Sequence, residues 1–103
     1  MFLKDYFSNL NKKYYKIKFK GICFNSKLVK KDFVFFAIQG NKSDGNKFIN
    51  EAIKKGAKVI ISEKLEERLD GKTLYLHHKN PRKLLAEFSS KIYHKRPKNL
   101  VAV

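Results

Sequence analysis

FVFFAIQGNKSDGNKFINEAIKKGAKVIIS, residues 33–62, is the stretch that decides the fold. Its apolar start, 33–38, is typical of a strand buried on both faces. Turn-forming residues fill 39–46. The apolar residues that follow share one face of a helix: Phe48, Ile49, Ala52 and Ile53. Gly56 is suited to end that helix, and 57–62 forms a second apolar strand. Strand, helix and strand at this spacing predict a parallel pair joined by a crossover.

The residues before this unit predict two further elements. Leu3, Phe7 and Leu10 fall at helical spacing and indicate a short amphipathic helix. Alternating apolar residues over 16–24 then indicate a strand or hairpin, with a break at Gly21.

The residues after the unit predict a charged connection over 63–72, in part helical, and a strand over 73–76. Asn80 and Pro81 are an N-cap and a first helical residue, and they open a second helix. Its inner stripe comprises Leu84, Leu85, Phe88, Ser89 and Ile92. Pro97 ends the helix, and 100–103 starts another apolar strand. The predicted fold class is α/β, with residues 1–103 forming a single small domain whose mixed or mostly parallel sheet has flanking helices.

The chain is strongly basic, with 24 Lys and Arg against 9 Asp and Glu and a formal net charge of +15. Lysine dominates this excess, at 21 residues against 3 arginines, and no lysine run exceeds two residues. Arginine makes the bidentate contacts of specific nucleic-acid sites, whereas lysine is a solvated point charge. A diffuse basic surface is therefore favoured over a nucleic-acid-binding domain, which remains an alternative.

Several other functional classes find little support. No apolar run approaches the ~20 residues of a membrane span, and Asp5 interrupts the position of a secretory signal. The single cysteine, Cys23, fits a reducing, cytoplasmic setting and a small buried side chain. His77, His78 and His94 are interpreted as surface or capping residues, because no cysteine or carboxylate lies beside them at zinc-ligand spacing. We expect no metal site.

Two loops carry the candidate functional residues. One, 24–27, follows a strand, and the other, 40–45, lies between the buried strand and its helix. Ligands of α/β sheets bind at the carboxyl ends of strands, where hydroxyl and amide groups can hold a nucleotide base or diphosphate. Plain turn formation explains the same residue types equally well.

Residues 21–62 resemble the N-terminal domain of the Mur ligases, the cytoplasmic enzymes of peptidoglycan precursor synthesis. The family pattern is an Asp-Ser-Arg loop, Gly-Asp-Leu-Phe-Val-Ala, Gly-x-x-x-Asp-Gly-His-x-Phe-Ile, and Gly-Ala before a Val-rich strand. The corresponding residues here are Asn25-Ser26-Lys27, Lys31-Asp32 with 33–37, Gly40 through Ile49, and Gly56-Ala57.

The tail resembles one branch of that family, the MurE type. The similar residues are 82–86, Ile92-Tyr93 and 97–103. MurE-type enzymes add the third stem residue, diaminopimelate or lysine, to UDP-N-acetylmuramoyl-dipeptide. The MurF type shares the N-terminal pattern and stays an alternative. In the family the ATP-binding loop would follow Val103, so the resemblance implies a substrate domain without the central ATP-binding and C-terminal domains. ATP and Mg²⁺ would belong to the parent enzyme, and this chain alone should be inactive.

The resemblance also implies the site residues, which would hold the uridine diphosphate end of the substrate: Phe24, Ser26, Lys27, Asn41, Lys42 and Ser43. No catalytic residue is implied. Three positions depart from the family, since Asn25 replaces Asp, Lys27 replaces Arg and Asn46 replaces His. Lys27 loses the planar bidentate donor of arginine.

Overall fold

Four parallel strands and one antiparallel strand form a mixed sheet in this computed structural model, which describes residues 1–7, 10–38 and 45–95. The strands are β1 Gly21–Cys23, β2 Phe33–Phe36, β3 Val59–Ser62, β4 Arg68–Asp70 and β5 Thr73–His77. Their spatial order is β1-β2-β3-β5-β4, with β4 antiparallel to β5. The α-helices are α1 Ile49–Lys54 and α2 Pro81–Lys95. The predicted α/β class with a mostly parallel sheet is confirmed.

Side chains alternate between the two faces of the sheet and fill two separate clusters. One cluster takes Val34 and Phe36 from β2 and is covered by α2 and the N-terminal segment. The other takes Phe33 and Phe35 from β2 and is covered by α1, whose Ala52 is fully buried. All four β2 residues are buried, so this strand is buried on both faces, as predicted.

The central strand–helix–strand unit forms as predicted, except that Phe48 is not on the buried face of the helix, because it lies in the turn before α1 and is exposed. β2 and β3 pair in parallel, with Phe35 opposite Ile60. A 3₁₀ turn, Gly45–Phe48, leads into α1, and the chain leaves α1 through Gly56 at φ +111°. A Cβ added to Gly56 would lie 2.8 Å from Cα of Lys31, so a side chain there would be strained and crowded.

The predictions for the first 24 residues are wrong in part. The N-terminal segment folds into 3₁₀ turns, Leu3–Asp5 and Lys12–Tyr14, rather than an amphipathic α-helix. It pairs with the chain after it: Phe2 bridges Lys18 in antiparallel fashion, and Phe19 N–H donates to Met1 O at 2.7 Å. These hydrogen bonds between distant segments of the chain replace the bonds of a helix. The apolar residues Leu3 and Leu10 are still buried, as expected.

Gly21 is not a break, because it is the first residue of β1 and pairs with Phe33. A Cβ on Gly21 would lie 2.8 Å from atoms of the Phe33 ring. The glycine therefore makes room for a neighbouring aromatic side chain within the sheet.

The partly helical connection predicted for 63–72 is also wrong, since it contains β4. Asp70 pairs with Thr73 across a turn that holds Gly71 at φ +61°. This is hairpin geometry, in which the two-residue turn Gly71-Lys72 joins adjacent antiparallel strands. All three β4 residues are exposed, so burial gives this strand no apolar signature.

The second helix begins where the sequence predicts. Asn80 Oδ1 accepts the Lys83 N–H at 3.1 Å, and Pro81 is the first residue of α2. Leu84, Phe88 and Ile92 are buried along its inner face. Pro97 and the strand predicted for 100–103 lie outside the described residues. In the part of the chain described, no helix is long and apolar enough to cross a membrane.

Candidate functional site

The four parallel strands end at one edge of the sheet, the carboxyl edge, with Cys23, Phe36, Ser62 and His77 as last residues. The segments that leave this edge are those in which α/β proteins bind ligands. One is the β1 loop, residues 24–28, which the structure describes completely. Another leads from β2 to α1, and its residues 39–44 lie outside the described ranges.

The β1 loop is held by hydrogen bonds of both the side chain and the backbone of Asn25. Its Oδ1 accepts the Lys27 N–H at 3.0 Å, so Asn25 caps the 3₁₀ turn Ser26–Leu28. The Cys23 sulfur accepts the Asn25 N–H at 3.3 Å and donates to Asn25 O at 2.8 Å. Asn25 therefore supplies the short oxygen acceptor for which Asp is also suited at this turn.

Helix α1 holds the β1 loop at two points. Ser26 is buried, and its hydroxyl donates to Oε1 of Glu51. One helical turn later, Lys55 Nζ donates to the backbone oxygen of Lys27 at 3.1 Å. Residues four apart lie on one face of a helix, so Glu51 and Lys55 form a single contact surface for the loop.

The outer surface of the same edge carries exposed apolar side chains. Phe24 is 48% exposed, and Leu28 is 60% exposed. Phe48, in the turn before α1, is 40% exposed. An exposed aromatic ring beside polar loop residues can stack on a planar ligand, which is the role implied for Phe24.

The start of α1 is attached to the end of β3. Ser62 is fully buried; its hydroxyl donates to Oδ1 of Asn46 and accepts the Lys64 N–H at 3.0 Å. Asn46 stands where the Mur ligase pattern has His. Among the described residues, every buried polar side-chain atom has a hydrogen-bond partner. In the described part of the chain, two separate side-chain hydrogen bonds therefore lie at this edge, one from Ser26 to Glu51 and one from Ser62 to Asn46.

His77 and His78, at the end of β5, make local contacts, which agrees with their interpretation as surface or capping residues. His77 Nδ1 lies 3.1 Å from the backbone oxygen of Leu65. The His78 ring meets the Phe7 ring edge-on at 6.2 Å, and its Nδ1 accepts the Asn80 N–H at 3.0 Å. Within residues 1–7, 10–38 and 45–95, no three His, Cys, Asp or Glu side chains form a group that could hold a metal ion.

Cys23 is a small buried side chain, as predicted. Burial raises the pKa of its thiol above the ordinary value, and the hydrogen bond with the Asn25 backbone opposes this only in part. Cys23 packs within the buried cluster on the α1 face of the sheet.

Three of the implied site residues, Phe24, Ser26 and Lys27, lie together in the β1 loop. The other three, Asn41, Lys42 and Ser43, fall outside the described residues, so their place at the site stays a prediction. Glu51 was not singled out from the sequence. An exposed carboxylate on a lysine-rich helix looks like any solvated charge, and no sequence signal marks it as the partner of Ser26.

Comparison with known proteins supports the resemblance. The family model described as "Mur ligase family, catalytic domain" matches residues 18–93. A UDP-N-acetylmuramoyl-L-alanyl-D-glutamate–2,6-diaminopimelate ligase from Rickettsia prowazekii is 42% identical over 92% of this chain and 19% of its own length. The ligase of the same name from Clostridium tetani is 42% identical over 76% of this chain and 16% of its own length. The chain therefore spans about a fifth of the length of these relatives.

Solved structures with a similar fold are also Mur ligases. MurF from Thermotoga maritima, in complex with ADP, has a TM-score of 0.60 and 28% identity, covering 74% of this chain and 17% of its own. MurF from Acinetobacter baumannii has a TM-score of 0.60 at 21% identity, which shows the shared fold. It covers 75% of this chain and 16% of its own. The matches in sequence and in fold agree, and the chain belongs to the Mur ligase family, with MurE-type ligases as its similar relatives over most of its length.

Proposed function

We propose that residues 1–103 are the N-terminal substrate-binding domain of a MurE-type ligase of peptidoglycan synthesis, working in the cytoplasm. The parent enzyme would join 2,6-diaminopimelate to UDP-N-acetylmuramoyl-L-alanyl-D-glutamate. The observation that carries this proposal is the 42% identity to the Rickettsia prowazekii ligase over 92% of the chain. This domain would contribute affinity for the uridine diphosphate end of the substrate.

The carboxyl edge of the sheet supports that role. Phe24 exposes its ring where it can pack on the uracil, and Ser26 and Lys27 follow in the same loop. Asn41, Lys42 and Ser43 would complete the site from the segment between β2 and α1. Lys42 would act on the diphosphate by charge, so we expect its contribution to decrease with added salt.

The parent reaction would form an amide through an acyl phosphate, driven by ATP and Mg²⁺. The residues of this chain do not fit that pair of ligands. Its sequence has no Gly-x-x-x-x-Gly-Lys-Ser/Thr loop, and the described residues offer no metal-binding group. We therefore expect neither ATP hydrolysis nor ligation from this chain alone, with the remaining domains of the ligase supplying both.

A MurF-type parent is the second candidate, because the solved structures compared above are MurF enzymes. Sequence identity favours the MurE type. The diaminopimelate ligases of Rickettsia are 38% to 42% identical over 92% of the chain. The MurF structures are 21% to 28% identical over about three quarters of it.

Titration calorimetry with UDP-N-acetylmuramoyl-L-alanyl-D-glutamate tests the proposal. We expect saturable binding, with millimolar affinity because the domain holds one end of the substrate. The same titration with ADP, which shares the diphosphate and lacks the uracil and the muramoyl peptide, is the control and should show weaker binding. Absence of any saturable binding by the muramoyl nucleotide would contradict the proposal.

A nucleic-acid titration in the same buffers tests the remaining alternative. A diffuse basic surface should bind DNA or RNA weakly and without sequence preference, and the binding should fade steeply between low and physiological salt. A sequence-selective, sub-micromolar complex at physiological salt would instead favour a nucleic-acid-binding domain.

A further inference from the structure

Ser26 has a single hydroxyl proton, and the structure identifies the acceptor to which it is donated. The side chain is buried, and the hydroxyl donates to Oε1 of Glu51. A carboxylate only accepts hydrogen bonds, so the direction of this bond is fixed. The Ser26 oxygen keeps lone pairs with which it can still accept a hydrogen bond.

We propose that Glu51 is a positioning residue of the site: it holds the Ser26 hydroxyl as an acceptor, so that the β1 loop recognises the nucleoside part of the ligand. The inference rests on the proposed function. It adds a residue outside the loop and a direction for the Ser26 contact.

The chemistry of a uridine diphosphate selects the nucleoside. Its hydrogen-bond donors are the imide N–H of the base and the ribose hydroxyls, whereas ionised diphosphate oxygens only accept. The Ser26 hydroxyl donates its proton to Glu51, so it can accept a hydrogen bond from the base or the ribose. It has no proton left to donate to a diphosphate oxygen. Ser26 therefore binds the base or the ribose, and lysine side chains bind the diphosphate.

The place of Glu51 in α1 also explains why it suits this role. Lys55, one turn later, fixes the backbone of Lys27, so the same helix sets both the hydroxyl and the main chain of the loop. At its other end α1 follows Asn46, which Ser62 holds at the end of β3. The loop after β1 and the segment that enters α1 are thus fixed relative to one helix.

A double-mutant cycle on the 103-residue protein tests the inference, with affinities for UDP taken from amide chemical-shift titrations. Losing one neutral hydrogen bond should weaken UDP binding by roughly three- to ten-fold in Ser26→Ala. Glu51→Ala should lose a similar factor, because the hydroxyl is then free to turn. The double variant should bind no more weakly than Ser26→Ala, since Glu51 acts through Ser26. Glu51→Gln, which keeps an acceptor oxygen, should recover part of the affinity.

Two controls separate this role from a general loss of structure. Glu87→Ala removes an exposed carboxylate from α2 and should leave UDP affinity unchanged. Ser26→Ala should weaken uridine and UDP by the same factor and leave inorganic pyrophosphate unaffected. The amide spectrum of each variant reports whether it is folded.

The outcomes are distinct. Multiplicative losses in the double variant, or a Ser26→Ala loss confined to UDP and pyrophosphate, would overturn the inference while leaving the proposed function standing. No binding of UDP or the muramoyl nucleotide by the wild-type chain would overturn both.

Discussion

The two faces of the sheet are covered in different ways. On the α2 face, Phe88 contacts the rings of Tyr6, Phe19 and Phe36, with centroids 5.2 to 5.9 Å apart. On the α1 face, the helix contributes the small Ala52 to the core and polar contacts at its margin. The first face is held by aromatic packing, and the second is held in addition by directional bonds to the carboxyl edge. Substitutions should therefore lower the stability most on the first face, whereas on the second face they should lower it less and also disturb the placement of the loops.

The largest expected effect is on the α2 face. Phe88→Ala removes a fully buried ring and should lower the free energy of unfolding by about 3–5 kcal/mol. Urea unfolding followed by circular dichroism measures this. Phe48→Ala, at a ring that is 40% exposed, is the matched control and should cost less than about 1 kcal/mol. Equal losses in the two variants would remove the distinction between the faces.

Gly56→Ala should have the next largest effect, because it disturbs the exit from α1. The backbone has φ +111°, and the new methyl group would lie 2.8 Å from Cα of Lys31. Strain and crowding together should cost about 1–3 kcal/mol in the same unfolding experiment. Gly71→Ala is the control, since its φ is also positive, at +61°, but nothing lies within 4 Å of an added Cβ. A Gly71 variant as unstable as the Gly56 variant would show that backbone strain alone explains the loss.

Ser62→Ala tests the polar side of the comparison. It removes the donor to Asn46 and the acceptor of the Lys64 N–H from a fully buried position. We expect a loss of about 1–3 kcal/mol in unfolding free energy and amide shift changes concentrated over 45–48. Ser89→Ala, on a half-buried helix position, is the control. A Ser62 variant with wild-type stability and an unchanged spectrum over 45–48 would contradict the proposed attachment.

The smallest expected effect concerns pH. The pKa of Cys23 is raised in the folded chain, so the unfolded chain loses its thiol proton at lower pH. The Cys23 thiol contributes its full stabilisation below the pKa that it has in the unfolded chain. This contribution is lost as the pH rises toward the higher pKa that the thiol has in the folded chain. The unfolding free energy of the wild type relative to Cys23→Ala should therefore decrease above about pH 9 and stay constant below about pH 7. A difference between the two proteins that is independent of pH would contradict the shift.

The elements that could be predicted from the sequence are those whose buried residues recur at a regular spacing. The apolar runs of β2 and β3, the face of α1 and the Asn80 cap all leave signals of composition or spacing, and each was found. β4 was missed because its three residues are exposed: Arg68 and Asp70 are charged, and Leu69 is a single apolar residue between them. Gly71 was a local signal for a hairpin there, since it is the first residue of the two-residue turn Gly71-Lys72 and glycine is typical of that position.

The candidate site was predictable only where it is local in sequence. Phe24, Ser26 and Lys27 share one loop and were found together through the family pattern. Glu51 is 25 residues away from Ser26, and its contact depends on how α1 packs over β1 and β2. Such a pairing follows from the tertiary structure and has no counterpart in local composition. The 3₁₀ turns of the N-terminal segment were missed for the same reason, because long-range bonds to 17–19 replace the bonds of a helix.

Amide chemical-shift mapping with UDP-N-acetylmuramoyl-L-alanyl-D-glutamate tests the central claim most directly. The account predicts that shifts concentrate on the β1 loop around Phe24 and Ser26, on residues 41–43 and on the first turn of α1, and that Ser26→Ala weakens the titration roughly three- to ten-fold. Shifts that cluster on His77, His78 and residues 82–92, with the β1 loop unchanged, would place the site elsewhere and contradict the account.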